Sequence, residues 1–249
     1  MRRPRRGGRA VECGGLENRY PSQGGSRVQI PPPPFRAAAA SLQTGTRYSG
    51  YLVPHAPMTA LDWWWSPHPA WEPGEDWDRD VPVVRLESDD EVVLFDPFLP
   101  PDDSFDPGGK PVRVLLTQGA HYRGTADLVE RYGASVWTPP RAWWPPHRPD
   151  PATTDELPAG VQAIELDGEP QQVVFYLREH ATLVTGDVLS GTGGRLHVFV
   201  DEADASRLLP ALEAIADLPI ERVIIPHGEL VLVDGSARIR AAVAESRPG

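Results

Sequence analysis

The sequence predicts a layered α/β (α+β) domain with mixed β-sheets, and two patterns along the chain support this fold class. Apolar runs of strand length recur from residue 81 onward, with turn-forming residues between them. Two segments with helical spacing of their apolar residues interrupt the strands, and each is followed by a further strand or turn. Runs of strands interrupted by strand–helix–strand units are typical of layered domains with one or two mixed sheets.

The first half of the folded region begins with a predicted β-hairpin. Its two apolar runs are joined by the turn Glu87-Ser88-Asp89-Asp90, and Pro82 indicates an edge strand because proline cannot donate a ladder hydrogen bond. The next apolar run, at residues 112–117, is mostly apolar, as expected of a strand buried on both faces. In order, the predicted elements are strands at residues 81–86, 91–96 and 112–117, a helix at 124–132 and a strand at 135–138.

The second half repeats this arrangement. Its longer helical segment ends at Pro219, and Pro210 inside it is tolerated only in a first turn, which predicts that the regular helix begins late. In order, the predicted elements are strands at residues 161–166, 172–177, 181–185 and 196–200, a helix at 205–218, a strand at 221–225 and a helix at 237–245.

Residues 1–57 differ in composition from the rest of the chain. They contain nine Arg, no Lys and two Glu, with four consecutive prolines at residues 31–34, and they lack helical or strand periodicity. Such a segment buries too little apolar surface to offset its ordering entropy, which predicts a disordered basic leader. A basic arm that binds nucleic acid is the functional alternative.

A third interpretation of residues 1–57 is that they are not expressed. Val28-Gln29-Ile30 can be encoded by GTT-CAA-ATC, which resembles the T-loop of a transfer RNA gene, and Met58 is then the natural start. A cloverleaf in the corresponding DNA would support this hypothesis. In each interpretation the predicted domain spans residues 58–249.

The folded region is strongly acidic. It holds 15 basic and 33 acidic residues, and the whole chain has a net charge of −11. An acidic surface repels phosphate backbones, so nucleic acid is not an expected partner of this region. Cys13 is the only cysteine, which excludes an intrachain disulfide and fits a reducing, cytoplasmic location. No apolar run reaches the ~20 residues that span a bilayer, so no membrane partner is expected.

Two phrases near the end of the chain indicate a metal-binding sheet edge. Val184-Thr185-Gly186-Asp187 and Ile224-Ile225-Pro226-His227 each lead from an apolar strand into a turn. Each turn presents one side chain of a type that binds metal ions, a carboxylate or an imidazole. A carboxylate and an imidazole at the C-terminal ends of two strands predict a sheet edge that holds metal.

These phrases and two upstream segments, in this order, resemble the metallo-β-lactamase-fold superfamily over residues 83–231. Val92-Val93-Leu94-Phe95-Asp96-Pro97 is similar to the early strand of that family, and Val114-Leu115-Leu116-Thr117 to the strand before its principal metal loop. Gly186-Asp187 is similar to the end of the hairpin that carries the bridging Asp of the family. Pro226-His227 is similar to the end of its last strand, which carries the final His. The resemblance implies a four-layer αβ/βα sandwich with a metal site along one edge of two mixed sheets.

The principal metal loop departs from the family pattern. The family has Thr-His-x-His-x-Asp-His, whereas this chain has Thr117-Gln118-Gly119-Ala120-His121-Tyr122-Arg123. None of the residues at the four ligand positions is a usual zinc ligand; they are Gln118, Ala120, Tyr122 and Arg123. The middle His of the family is also missing near Gly168-Glu169-Pro170. The resemblance therefore implies a degenerate metal site.

Two interpretations of the remaining site residues stay open. In the first, a bulge brings His121 to Asp187 and His227, and the three side chains bind one zinc ion with an open position for water. In the second, His121 is hydrogen-bonded to its neighbours, and Arg123 pairs with Asp187 in place of a metal. The permanent charge of Arg123 opposes a dication and favours the second interpretation.

Three functions follow from these interpretations. The leading hypothesis is a catalytically impaired or metal-free relative that binds a small molecule or a protein partner at the old active edge. The alternative is a single-metal hydrolase of an ester, thioester or lactone, the substrate class that the resemblance implies. A third hypothesis is a structural or interaction role, in an oligomer, for an edge carrying Trp63, Trp64 and Trp65.

Overall fold

The computed structural model describes residues 28–29, 58, 60–67, 80–100, 102–142, 156–199 and 202–247. Two short 3₁₀ helices lie at Gly119–Tyr122 and Arg178–His180. In chain order the strands and α-helices of the described residues are β1 (Val28–Gln29), β2 (Ala60–Pro67), β3 (Asp80–Glu87), β4 (Val92–Phe95), β5 (Val112–Leu115), α1 (Thr125–Tyr132), β6 (Ser135–Trp137), β7 (Val161–Leu166), β8 (Glu169–Leu177), β9 (Thr182–Val184), β10 (Leu189–Thr192), β11 (Arg195–Val198), α2 (Glu202–Ile215), β12 (Arg222–Ile224) and α3 (Gly235–Glu245).

Two mixed sheets form the centre of the fold. The first has the strand order β1-β2-β3-β4-β5-β6, in which β4, β5 and β6 run parallel and the other neighbours are antiparallel. The second has the order β12-β9-β8-β7, in which β12 and β9 run parallel. Strands β10 and β11 form a separate antiparallel hairpin. The predicted mixed sheets are confirmed.

The layer order follows from the alternation of side chains along the strands. On β4, Leu94 packs in the cluster that contains Leu128 of α1, whereas Phe95 packs in the cluster between the sheets. On β8, Phe175 faces that same inter-sheet cluster, and Tyr176 lies in the cluster formed with α2 and α3. Both sheets are therefore buried on both faces. The predicted four-layer sandwich is confirmed.

The tryptophan-rich segment forms strand β2, which the sequence did not predict. It pairs with β3 over all eight residues. Trp63 and Trp64 are 4% and 5% exposed and lie on opposite faces of the sheet, one between the sheets and the other in the outer cluster with Phe105. Consecutive aromatic residues conceal the period of two, because both faces of this strand are buried. Two of the three indole rings are thus core residues that no partner can reach.

Helix α2 begins earlier than predicted, at Glu202, and continues through Pro210. The ring of Pro210 is solvent-exposed, and so is Ser206, four residues earlier, whose carbonyl loses its helical donor. Water can therefore replace the missing hydrogen bond. The cost of an internal proline is lower on this exposed face than the sequence-based prediction assumed.

Of residues 1–57, the structure describes Val28–Gln29, which form β1 against Asp62 and Trp63 of β2. The predicted disordered leader otherwise lies outside the described residues, and the boundary at residue 58 stays a prediction. No helix among the described residues is long and apolar enough to cross a membrane.

Phe175 joins the two sheets through edge-to-face contacts. Its ring centroid lies 5.2 Å from that of Phe95 and 5.5 Å from that of Trp137. Phe175→Ala removes both contacts and leaves a cavity, so we expect the free energy of unfolding to fall by about 3–5 kcal/mol. Urea unfolding followed by circular dichroism measures this change. The matched control is Phe199→Ala, because Phe199 is 60% exposed; a similar loss in both variants would contradict the assignment.

Candidate functional site

The ends of strands from both sheets meet at one edge of the sandwich. Asp96 directly follows β4, and Thr117 lies two residues after β5. Asp187 and His227 each lie three residues after strands of the second sheet, β9 and β12. The backbone N–H of Val173 donates to the carbonyl of Thr117 at 2.9 Å and connects the two sheets here. This edge is where side chains from four strand ends can meet.

Asp96 is a buried carboxylate that organises the loop after β5. Its Oδ1 accepts a hydrogen bond from the backbone N–H of Thr117 at 2.8 Å. Its Oδ2 accepts one from the Thr117 hydroxyl at 2.6 Å and lies 2.8 Å from Nδ1 of His121. Asp96 has a φ of 46°, a conformation that aspartate tolerates better than most residues. These contacts turn Nδ1 of His121 toward Asp96 and Nε2 toward the edge.

His121, Asp187 and His227 come together at this edge. Nε2 of His121 lies 3.1 Å from Oδ1 of Asp187, and Nε2 of His227 lies 3.2 Å from the same oxygen. One ligand-type atom from each residue lies within 4.8 Å of the other two. The structure therefore groups the three residues that the first interpretation assigned to a single ion.

One oxygen in this grouping is buried without a hydrogen-bond partner. Oδ2 of Asp187 accepts from Nε2 of Gln118 at 2.6 Å, but Oδ1 is inaccessible to solvent and accepts no hydrogen bond from the described residues. Both imidazoles lie at ion-pair distance from Oδ1 but outside the alignment of a hydrogen bond. A buried carboxylate oxygen needs a positive partner, which a protonated imidazole or a bound cation supplies.

The donor set fits a single zinc ion on two further grounds. Ligand atoms around a tetrahedral zinc at ~2.0–2.1 Å stand roughly 3.3 Å apart. Two of the three pairs match this spacing, with the imidazole nitrogens 3.1 and 3.2 Å from Oδ1 of Asp187, and all three atoms lie within 4.8 Å of one another. His121 also faces Asp96 with its other ring nitrogen, and a carboxylate in that place commonly fixes the tautomer of a metal-binding histidine. Two imidazoles and one carboxylate leave a fourth position open for water or substrate.

The charges of these groups are coupled. Burial raises the pKa of Asp187, but contact with His121 and His227 outweighs it and holds the pKa well below its ordinary value. Burial and the charge of Arg123 lower the pKa of His121, whereas Asp96 and Asp187 raise it by more, so the pKa lies above its ordinary value. The carboxylate of Asp187 is therefore ionised at neutral pH, as a metal ligand must be.

Arg123 does not form the direct ion pair with Asp187 that the second interpretation predicts. Its Nη1 donates instead to the carbonyl oxygen of Asp96 at 2.9 Å, and its guanidinium lies 5.5 Å from the centre of the Phe98 ring. Arg123 is the C-cap of the 3₁₀ helix and has a φ of 40°. Burial lowers the pKa of Arg123, while Asp96 and Asp187 raise it in part.

Two glutamines hold Asp187 from either side. Gln118 donates to Oδ2 of Asp187, and its Nε2 also lies 2.9 Å from Nε2 of His121. Gln172 accepts the backbone N–H of Asp187 with its Oε1 at 3.1 Å. No pattern in the sequence indicates the role of Gln172, because only the bridge between Gln118 and Gln172 places it beside Asp187.

The other two ligand positions of the family pattern are also accounted for. Ala120 is exposed and offers no ligand atom. Tyr122 is buried in the outer hydrophobic cluster, away from the edge. Neither residue can contribute to a second ion.

Solved structures with the same fold include several metallo-β-lactamases. FIM-1 from Pseudomonas aeruginosa, solved in a mono-zinc form, is 15% identical, with a TM-score of 0.51 over 75% of this chain and 91% of that chain. The enzymes from Hirschia baltica and Pontibacter korlensis are 16% and 13% identical, each with a TM-score of 0.51, over 76% and 75% of this chain and 94% and 95% of theirs. No family model and no curated protein matches the sequence. At these identities the likeness shows the fold alone.

The position of His227 depends on a close contact between Gly228 and Gly191. Gly228 has a φ of +89°, and a Cβ there would lie 1.9 Å from the carbonyl oxygen of Gly191. We expect Gly228→Ala to move His227 away from Asp187, because backbone atoms on both sides must shift. A crystal structure of the variant should show the His227 Nε2 to Asp187 Oδ1 distance longer than 3.2 Å.

Gly193→Ala is the matched control for this variant. Gly193 has a φ of +59° in the neighbouring hairpin turn, but nothing lies within 4 Å of its Cβ position. The control introduces similar backbone strain without the clash and should leave His227 in place. An unmoved His227 in Gly228→Ala would contradict the steric argument.

Proposed function

We propose that this metallo-β-lactamase-fold protein is a single-metal hydrolase whose ion is held by His121, Asp187 and His227. The observation that carries the proposal is the buried Oδ1 of Asp187, which has no hydrogen-bond donor and has an imidazole nitrogen on each side at 3.1 and 3.2 Å. One metal-free arrangement, the ion pair of Arg123 with Asp187, does not form, because that guanidinium donates to the carbonyl of Asp96 instead. These contacts support the single-metal function over the metal-free function.

The departures from the family loop restrict the site to one ion. The described residues contain one group of three His, Cys, Asp or Glu side chains at ligand distances, and it is His121, Asp187 and His227. The positive charge of Arg123 lies beside this group and opposes a second dication. When bound, the single ion would supply Lewis-acid chemistry, polarising a substrate carbonyl and lowering the pKa of water.

Three neighbouring side chains, those of Asp96, Thr117 and Gln118, orient the proposed ligands. Asp96 holds the ring of His121, and the Thr117 hydroxyl holds Asp96. Gln118 fixes the rotation of the Asp187 carboxylate by donating to Oδ2, which leaves Oδ1 facing the imidazoles. Esters, thioesters and lactones are the substrate class that we propose, on the resemblance of the sequence to the superfamily.

One observation favours a second candidate function. Nε2 of Gln118 lies 2.9 Å from Nε2 of His121, where an amide donor would occupy the lone pair that a metal ion needs. A protein in which this hydrogen bond persists would be metal-free and catalytically impaired, and would bind a small molecule or a protein at the same edge. Metal analysis separates the two candidates.

We expect protein purified without a His tag and dialysed against zinc to retain about one ion per chain. Asp187→Ala should lose that ion, because Asp187 supplies the only carboxylate of the group. Inductively coupled plasma mass spectrometry measures the zinc content, and hydrolysis of a nitrophenyl ester, a thioester and a lactone should fall with it. The control is Asp217→Ala, whose exposed carboxylate pairs with Arg240 at 3.0 Å. A zinc-free wild type would support the second candidate.

Asp96→Asn tests the orientation of His121. The amide keeps the shape of the carboxylate but cannot accept hydrogen bonds at both of its ends from Thr117 and His121. We expect zinc affinity to fall by about 10–100-fold, measured by competition with a chelating dye. Asp103→Asn is the control, because Asp103 is exposed on the loop and pairs with Arg131. An unchanged affinity in Asp96→Asn would argue against Asp96 as the residue that positions His121.

A further inference from the structure

We propose that a cleft next to the metal edge binds the substrate as a small zwitterion of the amino-acid or dipeptide class, with its carboxylate on Arg141 and its ammonium on Glu165. This inference rests on the proposed function for the reaction, but the binding it describes does not need the metal. The cleft has a volume of about 330 Å³ and is lined by Arg141, Glu165, residues 166–168, Pro170 and Arg207. This volume lies at the lower end of the range of small-molecule sites, ~300–1,000 Å³.

One wall of the cleft is rigid. The turn between β7 and β8 contains Gly168, which has a φ of +100°. A Cβ on Gly168 would lie 3.0 Å from the backbone nitrogen of Leu208 and 3.1 Å from the carbonyl oxygen of Asp204, so the turn is pressed against α2. A wall held in this way is formed before any ligand binds, which lowers the entropic cost of binding.

The charges in the cleft divide into paired and unpaired groups. Arg207 is neutralised by Asp204 and lies 3.8 Å from Asp167. No hydrogen bond or ion pair among the described residues engages Arg141 or Glu165, and both side chains are exposed. Within the described part of the chain, Arg141 and Glu165 are thus the guanidinium and the carboxylate of the cleft lining that have no ion-pair partner.

These two free groups come from different sheets. Arg141 lies in the loop that follows β6 of the first sheet, and Glu165 lies on β7 of the second. They do not pair with each other, so the cleft presents a positive group and a negative group at separate positions. A ligand with one carboxylate and one ammonium satisfies both, whereas an anion or a cation alone leaves one group without a partner.

Contacts of β8 connect the cleft with the metal edge. Gln172 accepts the backbone N–H of Asp187 and donates through Nε2 to Glu169 at 3.4 Å, next to Pro170 in the cleft lining. On the other side, the carbonyl of Trp137, four residues before Arg141, accepts from the N–H of Leu116 at the end of β5. Gln172 and Glu169 therefore link the backbone of Asp187 to Pro170 in the cleft lining.

Four probes that share the leucyl-leucine core and differ in the charge of their ends test the proposal. They are leucyl-leucine, its amide, N-acetyl-leucyl-leucine, and N-acetyl-leucyl-leucine amide, which are zwitterionic, cationic, anionic and neutral. Binding is measured by NMR titration of the full-length protein after treatment with a chelator, and again with zinc. We expect leucyl-leucine to bind more tightly than the other three probes in both states.

Arg141→Gln should weaken binding of leucyl-leucine by about tenfold or more and abolish its advantage over the amide, because a charge-assisted hydrogen bond is lost. Glu165→Gln should abolish its advantage over the N-acetyl probe in the same way. Arg238→Gln on α3 is the control, because Arg238 is equally exposed and lies outside the cleft lining. Equal affinity for all four probes, or unchanged affinity in Arg141→Gln, would overturn the inference.

The two proposals fail separately. A wild type that binds no zinc but selects leucyl-leucine overturns the hydrolase and leaves the zwitterion site standing. A wild type that binds zinc but does not distinguish the four probes overturns the zwitterion site alone. Selection of the anionic probe as tightly as the zwitterion overturns the role given to Glu165.

Discussion

The buried carboxylate of Asp96 is the constraint on which the rest of the functional edge depends. Two donors of Thr117 and the ring of His121 converge on its oxygens, and its own carbonyl accepts from Arg123. The loop after β5 is thereby held to the end of β4, the neighbouring parallel strand. With that loop in place, Nε2 of His121 faces Asp187, and Arg123 is kept away from it. One buried acidic group thus decides both which residue joins the site and which residue is excluded.

The sandwich converts this local constraint into a site shared by two sheets. The carbonyl of Thr117 accepts from Val173 of β8, so the first sheet is hydrogen-bonded to the second at the edge where both end. Gln172, the neighbour of Val173, then reaches Asp187 on one side and Glu169 on the other. The same short stretch of β8 therefore positions a candidate ligand and borders the zwitterion cleft. Binding in the cleft and chemistry at the edge would share a single structural support.

The differences between this loop and the metallo-β-lactamase loop pattern have a consistent physical outcome. Ala120 is exposed to solvent, and Tyr122 is buried in the outer hydrophobic cluster, so neither lies at the edge. Arg123 contributes a permanent positive charge. His121 supplies an imidazole one residue away from the family position, and Gln118 donates to the carboxylate instead of binding metal. What remains is the group of His121, Asp187 and His227 that we propose binds one ion, with the amide of Gln118 2.9 Å from Nε2 of His121. Whether the ion or the amide occupies the lone pair of His121 separates the two candidate functions.

The sequence by itself determined most of the strands and the placement of Asp187 and His227 at strand ends, because these depend on local apolar patterning and turn residues, and its resemblance to the superfamily implied the four-layer sandwich. It missed β2, where consecutive tryptophans fill both faces, and it started α2 late, because the exposure of Pro210 cannot be read from its neighbours in sequence. It offered the grouping of His121 with Asp187 and His227 and the pairing of Arg123 with Asp187 as alternatives. Only the tertiary structure decided between those geometries and revealed Gln172, because the direction of a side chain after a 3₁₀ turn depends on contacts with distant strands.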